Sequence, residues 1–327
     1  MPRLPFRPFL AVLATMLCAV SPGRATVSLV ADINTRPLIA SSAPREFVTA
    51  GGQVFFVAIT PAAGVGLWKT DGTAGGTVLV HAFGGERTQR FWLTALGDQV
   101  LFAADDVVSG VELWRSDGTP GGTARVRDIR PGVLGSGARG LVAMGGRVYF
   151  SADDGEHGEE LWVSDGSESG TQLVRDIAPD TLGAFPAELA VLDGVLYFAA
   201  EDGTHGVELW RSDGSAEGTS LVRDIVDGIE GSFPGFLTAA GGRLYFAADD
   251  GASGDELWSS DGTADGTQRV RDIAPGPDGA NPAGLVAVGT RVFFSAADAE
   301  HGDELPVYHC RSDAWSRRAM VARRSRR

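Results

Sequence analysis

The chain has 327 residues, of which 45 are Gly and two are Cys, and a formal net charge of −14. The first 25 residues contribute +3 and the last 17 contribute +6, which leaves −23 on residues 26–310. A body this acidic repels phosphate backbones and excludes nucleic acid as a partner, while cations, basic proteins and neutral glycans remain open.

The chain opens on Arg3 and Arg7, followed by a short apolar stretch over residues 9–20 and by Gly23 and Ala25 at the −3 and −1 positions of a cleavage site. This is the pattern of an export signal, expected over residues 1–25. The apolar run is too short to span a bilayer comfortably, and no later segment approaches that length, so the mature chain is expected to carry no transmembrane segment. Leu17 precedes Cys18 where a lipoprotein signal needs a small residue. Signal removal leaves Cys310 as a lone thiol, so no internal disulfide is expected. The expected location is outside the cell, secreted or held at the envelope.

After the signal, residues 27–33 read VSLVADI, a strand-like segment that returns in altered form throughout the chain. Trp114, Trp162, Trp210 and Trp258 stand 48 residues apart, within VELWRSDGT, EELWVSDGS, VELWRSDGS and DELWSSDGT. An earlier copy, VGLWKTDGT, holds Trp68. An aromatic strand precedes each copy (QVLFAAD, RVYFSAD, VLYFAAE, RLYFAAD), and a second strand follows it (ARVRDI, QLVRDI, SLVRDI, QRVRDI). Within residues 141–188 the pattern predicts strands at 141–144, 147–152, 160–164 and 171–177, with Asp165-Gly166 closing a hairpin.

Four short strands in a unit of this length form a propeller blade, because one unit can neither bury its apolar faces nor protect its edges. The expected fold is all-β, a β-propeller of about six four-stranded blades over residues 26–310. The blades centre on 47–83, 93–129, 141–177, 189–225, 237–273 and 285–309. The last unit lacks a fourth strand, and residues 27–33 are expected to supply it and close the ring. An open β-solenoid, or a piece of a longer repeat array, is the alternative architecture. Residues 311–327, with seven Arg, are expected to form a disordered basic tail.

The repeated string ELW-x-SDGT-xx-GT-xLVRDI resembles the ELWxxDGT repeat family of bacterial secreted and surface proteins, over nearly all of residues 27–305. The resemblance implies an exported propeller-like repeat protein and supplies no catalytic residues to carry over.

The repeated acidic turns are the candidate metal ligands: Asp105, Asp106, Asp153, Asp154, Glu201, Asp202, Asp249 and Asp250, followed by Glu112, Glu160, Glu208 and Glu256. Clustered hard oxygens beside Gly suit Ca²⁺, although the spacing matches no EF-hand or nonapeptide calcium repeat. The competing reading is that Asp and Gly shape the turns. The SDGT aspartates read as Asx-turn residues, and the tryptophans as inter-blade packing rather than a sugar-stacking platform. His157, His205 and His301 share one repeat position and read as turn residues. Units two to five are close copies, and no site that breaks the pattern stands out. The expectation is therefore a non-enzymatic, monomeric binding scaffold contacting a protein or glycan, with no cofactor unless calcium. The alternative is an extracellular propeller enzyme, a hydrolase or lyase acting on a polymer.

Overall fold

The computed structural model describes residues 29–33, 41–84, 90–179, 183–298 and 300–310. The expected signal segment and basic tail lie outside them. The described residues form 24 strands and no helix, paired as six antiparallel four-stranded sheets. Sheet one holds β1 (Arg45–Ala50), β2 (Gln53–Thr60), β3 (Gly64–Thr70) and β4 (Val78–Gly84). Sheet two holds β5 (Thr94–Leu96), β6 (Gln99–Asp105), β7 (Val111–Ser116) and β8 (Ala124–Arg125). In sheet three are β9 (Arg139–Met144), β10 (Arg147–Asp153), β11 (Glu159–Ser164) and β12 (Gln172–Arg175). Sheet four comprises β13 (Ala187–Leu192), β14 (Val195–Ala200), β15 (Glu208–Ser212) and β16 (Ser220–Arg223). Sheet five comprises β17 (Gly235–Ala240), β18 (Arg243–Asp249), β19 (Asp255–Ser260) and β20 (Gln268–Arg271). The last sheet consists of β21 (Ala283–Val288), β22 (Arg291–Asp298), β23 (Gly302–Glu304) and β24 (Val307–His309).

Each of the first five sheets is a meander in sequence order, and the first strands of successive sheets touch one another from β1 through β5, β9, β13 and β17 to β21. First strands are thus innermost and fourth strands outermost, a propeller-like arrangement. Hairpins such as Gly145-Gly146 hold φ of 60° and 76°, the doubly left-handed pair that matches the twist of a two-residue strand connection.

The apolar cores lie between sheets. Phe150 faces Trp162 across β10 and β11, and this pair packs with Leu101, Ala103 and Leu113 of sheet two. Trp114, Trp210 and Trp258 occupy the same place at their own interfaces. Among the described residues five such cores join the six sheets, and none joins sheet six to sheet one.

The SDGT string ties each outer hairpin into a knot. Asp165 Oδ1 accepts the Ser167 N–H at 2.8 Å and its hydroxyl at 2.6 Å, while Ser164 and Thr171 share a buried hydroxyl contact at 2.7 Å. Gly170 sits against that carboxylate so closely that a Cβ would lie 2.1 Å from Asp165 Oδ1. Arginines in or just after the fourth strands staple neighbouring sheets: Arg127 donates to the Thr171 carbonyl and Arg223 to the Thr267 carbonyl, both at 2.6 Å.

Two features differ from expectation. The fourth strand of sheet three ends at Arg175 rather than at residue 177, because Ile177 turns inward and Ala178 donates its N–H to a buried carboxylate. At the chain's start, residues 29–33 form no strand, and Leu29 is 80% exposed. Leu305-Pro306 splits the third strand of sheet six into β23 and β24, both paired to β22, and no fourth strand lies outside them among the described residues. Pro306 has no N–H to give the ladder, which accounts for the break.

Candidate functional site

The eight carboxylates considered as calcium ligands lie in separate β2–β3-type hairpin turns of four different sheets. The second acid of each turn binds its own backbone. Asp154 Oδ1 accepts N–H groups of Glu156 and His157, both at 2.9 Å, and Oδ2 meets His157 Nδ1 at 2.8 Å. Asp202 repeats this with Thr204 and His205, Asp106 with Val108 and Ser109, and Asp250 with Ala252 and Ser253. Three of the four first acids do likewise: Asp105, Asp153 and Asp249 accept the N–H two residues on, while Glu201 stands at the fourth such position. Burial pushes the Asp154 and Asp202 carboxyls up, but these hydrogen bonds outweigh it and hold them below the usual range. The paired His157 and His205 are raised by the same contacts. Among the described residues no three His, Cys, Asp or Glu side chains gather as a metal-holding group.

The motif glutamates are not part of these turns. Glu112, Glu160, Glu208 and Glu256 are fully buried, and each tethers the loop leading to the next sheet. Glu112 accepts N–H groups from Ile129, Arg130 and Ser136, plus the Ser136 hydroxyl at 2.8 Å. Glu208 receives the Ser232 hydroxyl at 2.5 Å. In sheet three Ala184 takes the serine's place, and Glu160 Oε2 is buried without a hydrogen-bond partner among the described residues. Burial raises all four carboxyls, Glu160 to about 7.

The asymmetry absent from the outer strands is present in the inner ones. Each first strand has one residue in the left-handed region near its start: Glu46, Trp92, Gly140, Glu188, Phe236 and Gly284, with φ between 50° and 70°. The order Glu, aromatic, Gly therefore occurs twice, once in sheets one to three and once in sheets four to six. The surrounding bonds repeat too. Glu46 Oε2 accepts the Trp92 N–H at 2.7 Å, and Glu188 Oε2 accepts that of Phe236 at 2.8 Å. Thr94 Oγ1 bridges the Trp92 and Leu141 carbonyls, as Thr238 Oγ1 bridges those of Phe236 and Leu285. A bulky side chain at positive φ is strained, and such strain concentrates where ligands are held.

The two halves differ in charge. Around Trp92 a cleft of about 680 Å³ is walled by Phe47, Ile59, Leu93 and Leu141, with Arg45 and Arg90 on its lining. The Arg90 guanidinium stacks 5.3 Å from the Trp92 ring centroid. At the corresponding places of the second half stand Ala187 for Arg45 and Pro234 for Arg90. The acidic turns thus cap themselves, whereas this cleft brings together residues that sequence reasoning passed over. The signal was present: LTA recurs at 93–95 and 237–239, and GLVA at 140–143 and 284–287.

No known family model and no curated protein matches the chain. Its fold is similar to solved structures. One, from a study of two prolyl endopeptidases and the role of inter-domain dynamics in their catalysis, shares 16% identity with a TM-score of 0.54. It is covered over 41% of its length by 81% of this chain. A puromycin hydrolase (15% identity, TM-score 0.43) is matched over 82% of this chain and 52% of its own. A puromycin-hydrolyzing peptidase of Mycobacterium tuberculosis (14%, TM-score 0.41) is matched over 84% and 53%. The chain spans about half or less of each. The likeness to the prolyl endopeptidase structure supports the propeller-like all-β fold. It corrects the expectation of a non-catalytic scaffold to this extent: the fold is one that a peptidase carries, so it does not single out a passive role. The scaffold reading rested on units that copy one another, and the copying holds in the outer strands but fails in the inner ones.

Proposed function

We propose that this chain is the propeller part of an extracellular hydrolase of the peptidase type, and that its inner strands receive an extended polypeptide. The observation that carries the reading is the cleft at β1, β5 and β9, where strained Trp92 and the flanking arginines break an otherwise repeated body. Its size suits a ligand segment of a few residues. The likeness of the propeller-like fold to a prolyl endopeptidase structure supports the same reading. Export and membership of the ELWxxDGT repeat proteins belong to this proposal. The test is titration of fluorescein-labelled disordered peptides into the purified chain, read by anisotropy, with cleavage followed by mass spectrometry. Saturable binding weakened at least tenfold by Phe47→Ala is the expected result. Binding to oligosaccharides but to no peptide overturns it.

The proposal includes a closed ring. Residues 27–33 resemble the fourth strands in sequence, Leu29 and Val30 are exposed, and sheet six has no outer strand among the described residues. Docking that segment beside β23 and β24 would place Gly284 near Phe47 as Gly140 stands near Leu189. Deleting residues 26–34 should sharply lower the melting temperature, and an unchanged melt refutes closure.

A further inference from the structure

We infer that the cleft at Trp92 recognises the free C-terminal carboxylate of a polypeptide whose last residue is apolar, with Arg90 meeting the carboxylate. The inference rests on the polypeptide reading above and sharpens it. Most polar groups of the cleft other than its arginines are already committed. Both Glu46 oxygens accept backbone N–H groups, from Phe91 and Trp92 at 2.7–3.1 Å. The Thr94 hydroxyl bridges two carbonyls, at 3.0 and 3.1 Å. A sugar needs several uncommitted donors and acceptors besides an aromatic face, and the wall offers mainly Phe47, Ile59, Trp92, Leu93 and Leu141. An apolar side chain fits that wall, and a guanidinium can then satisfy one terminal anion.

Arg90 is built for that task. Its plane is steadied on Trp92, which leaves the N–H edge to form a paired contact with a carboxylate. In a protein of net charge −14 the overall field opposes anions, so Arg90 supplies the local attraction that a carboxylate needs. The second half of the molecule supplies an internal comparison. Glu188, Leu189, Phe236, Leu237, Thr238 and Leu285 repeat most of the wall and its bonds, with Glu201 in the place of Ile59, while Ala187 and Pro234 remove both guanidinium groups. The same architecture therefore exists with and without its cationic end.

The experiment compares one labelled peptide, ending in Phe, as the free acid and as the amide, by anisotropy with the full chain. The acid should bind at least tenfold more tightly, and the preference should shrink as salt rises. Arg90→Gln should abolish the preference without lowering the melting temperature, since Arg90 is exposed. Phe236→Ala, in the other half, should leave the preference intact. Equal binding of acid and amide overturns this inference while the polypeptide reading stands. No binding of either overturns both. Arg90-dependent binding of an oligouronate in place of the peptides identifies an acidic glycan site and overturns the inference.

Discussion

Replacing Ala184 with Ser should stabilise the protein at neutral pH. The hydroxyl would enter where Ser136 and Ser232 donate to Glu112 and Glu208, and would reach Glu160 Oε2, buried without a partner among the described residues. The backbone already has the right geometry, because the Ala184 N–H donates to Glu160 Oε1 at 3.2 Å as Ser136 does to Glu112 at 3.0 Å. A hydrogen bond to a buried charged group contributes about 1.5–3 kcal/mol. For a body of this size that corresponds to a rise in Tm of about 3–8 °C. The gain should depend on pH. Burial raises the Glu160 carboxyl from 4.5 to about 7 in the folded protein. The native state therefore binds the extra proton between those values, and stability falls as pH rises through that window, by at most about 3 kcal/mol. A serine donor favours the ionised form and should flatten this fall. Differential scanning calorimetry of both proteins at pH 5 and pH 7.5 measures it. An equal Tm at pH 7.5, or a gain no larger there than at pH 5, would refute the role assigned to Glu160.

Trp162→Ala should cost about 3–5 kcal/mol by emptying the core between sheets two and three, measured by urea unfolding. Gly170→Ala should cost about 2 kcal/mol or more, since the Asp165 carboxylate must leave its turn; the Asp165→Ala, Gly170→Ala double variant should recover part of that loss. Excess EDTA should leave Tm unchanged in calcium-containing buffer, because the acidic turns are capped by their own N–H groups; a fall of several degrees would show that they hold a metal. Below about pH 4 stability should drop, because Asp71, Asp117, Asp165, Asp213 and Asp261 are held below their usual range by hydroxyl and backbone donors, and that stabilisation is lost as pH falls through their lowered values.

The fixed spacing of Trp and Asp-Gly made the second and third strands of each unit legible, because aromatic-rich alternation and a tight turn are local properties. The role of the ELW glutamate was not legible. Its partners, such as Ile129 and Ser136 for Glu112, lie 17 to 24 residues on in a loop, so nothing short-range distinguishes a buried tether from a surface acid. The fourth strand of sheet three ends early for the same reason. The cleft escaped notice because comparing each unit with its immediate neighbour hides a pattern that recurs only at every third unit. Trp92 resembles neither Glu46 nor Gly140, and its counterpart is Phe236.

That threefold spacing also bears on how the molecule could have arisen. A block of three units, copied once, would give two halves whose ends fit each other in either order. If the ring closes as proposed, a gene divided between Arg175 and Ala187 would encode two pieces able to find one another without a linker, and two copies of one piece should make a symmetric dimer. In such a dimer both clefts would be alike. By this account the intact chain joins the halves covalently, so that the arginines at one cleft could be gained or lost without altering the other.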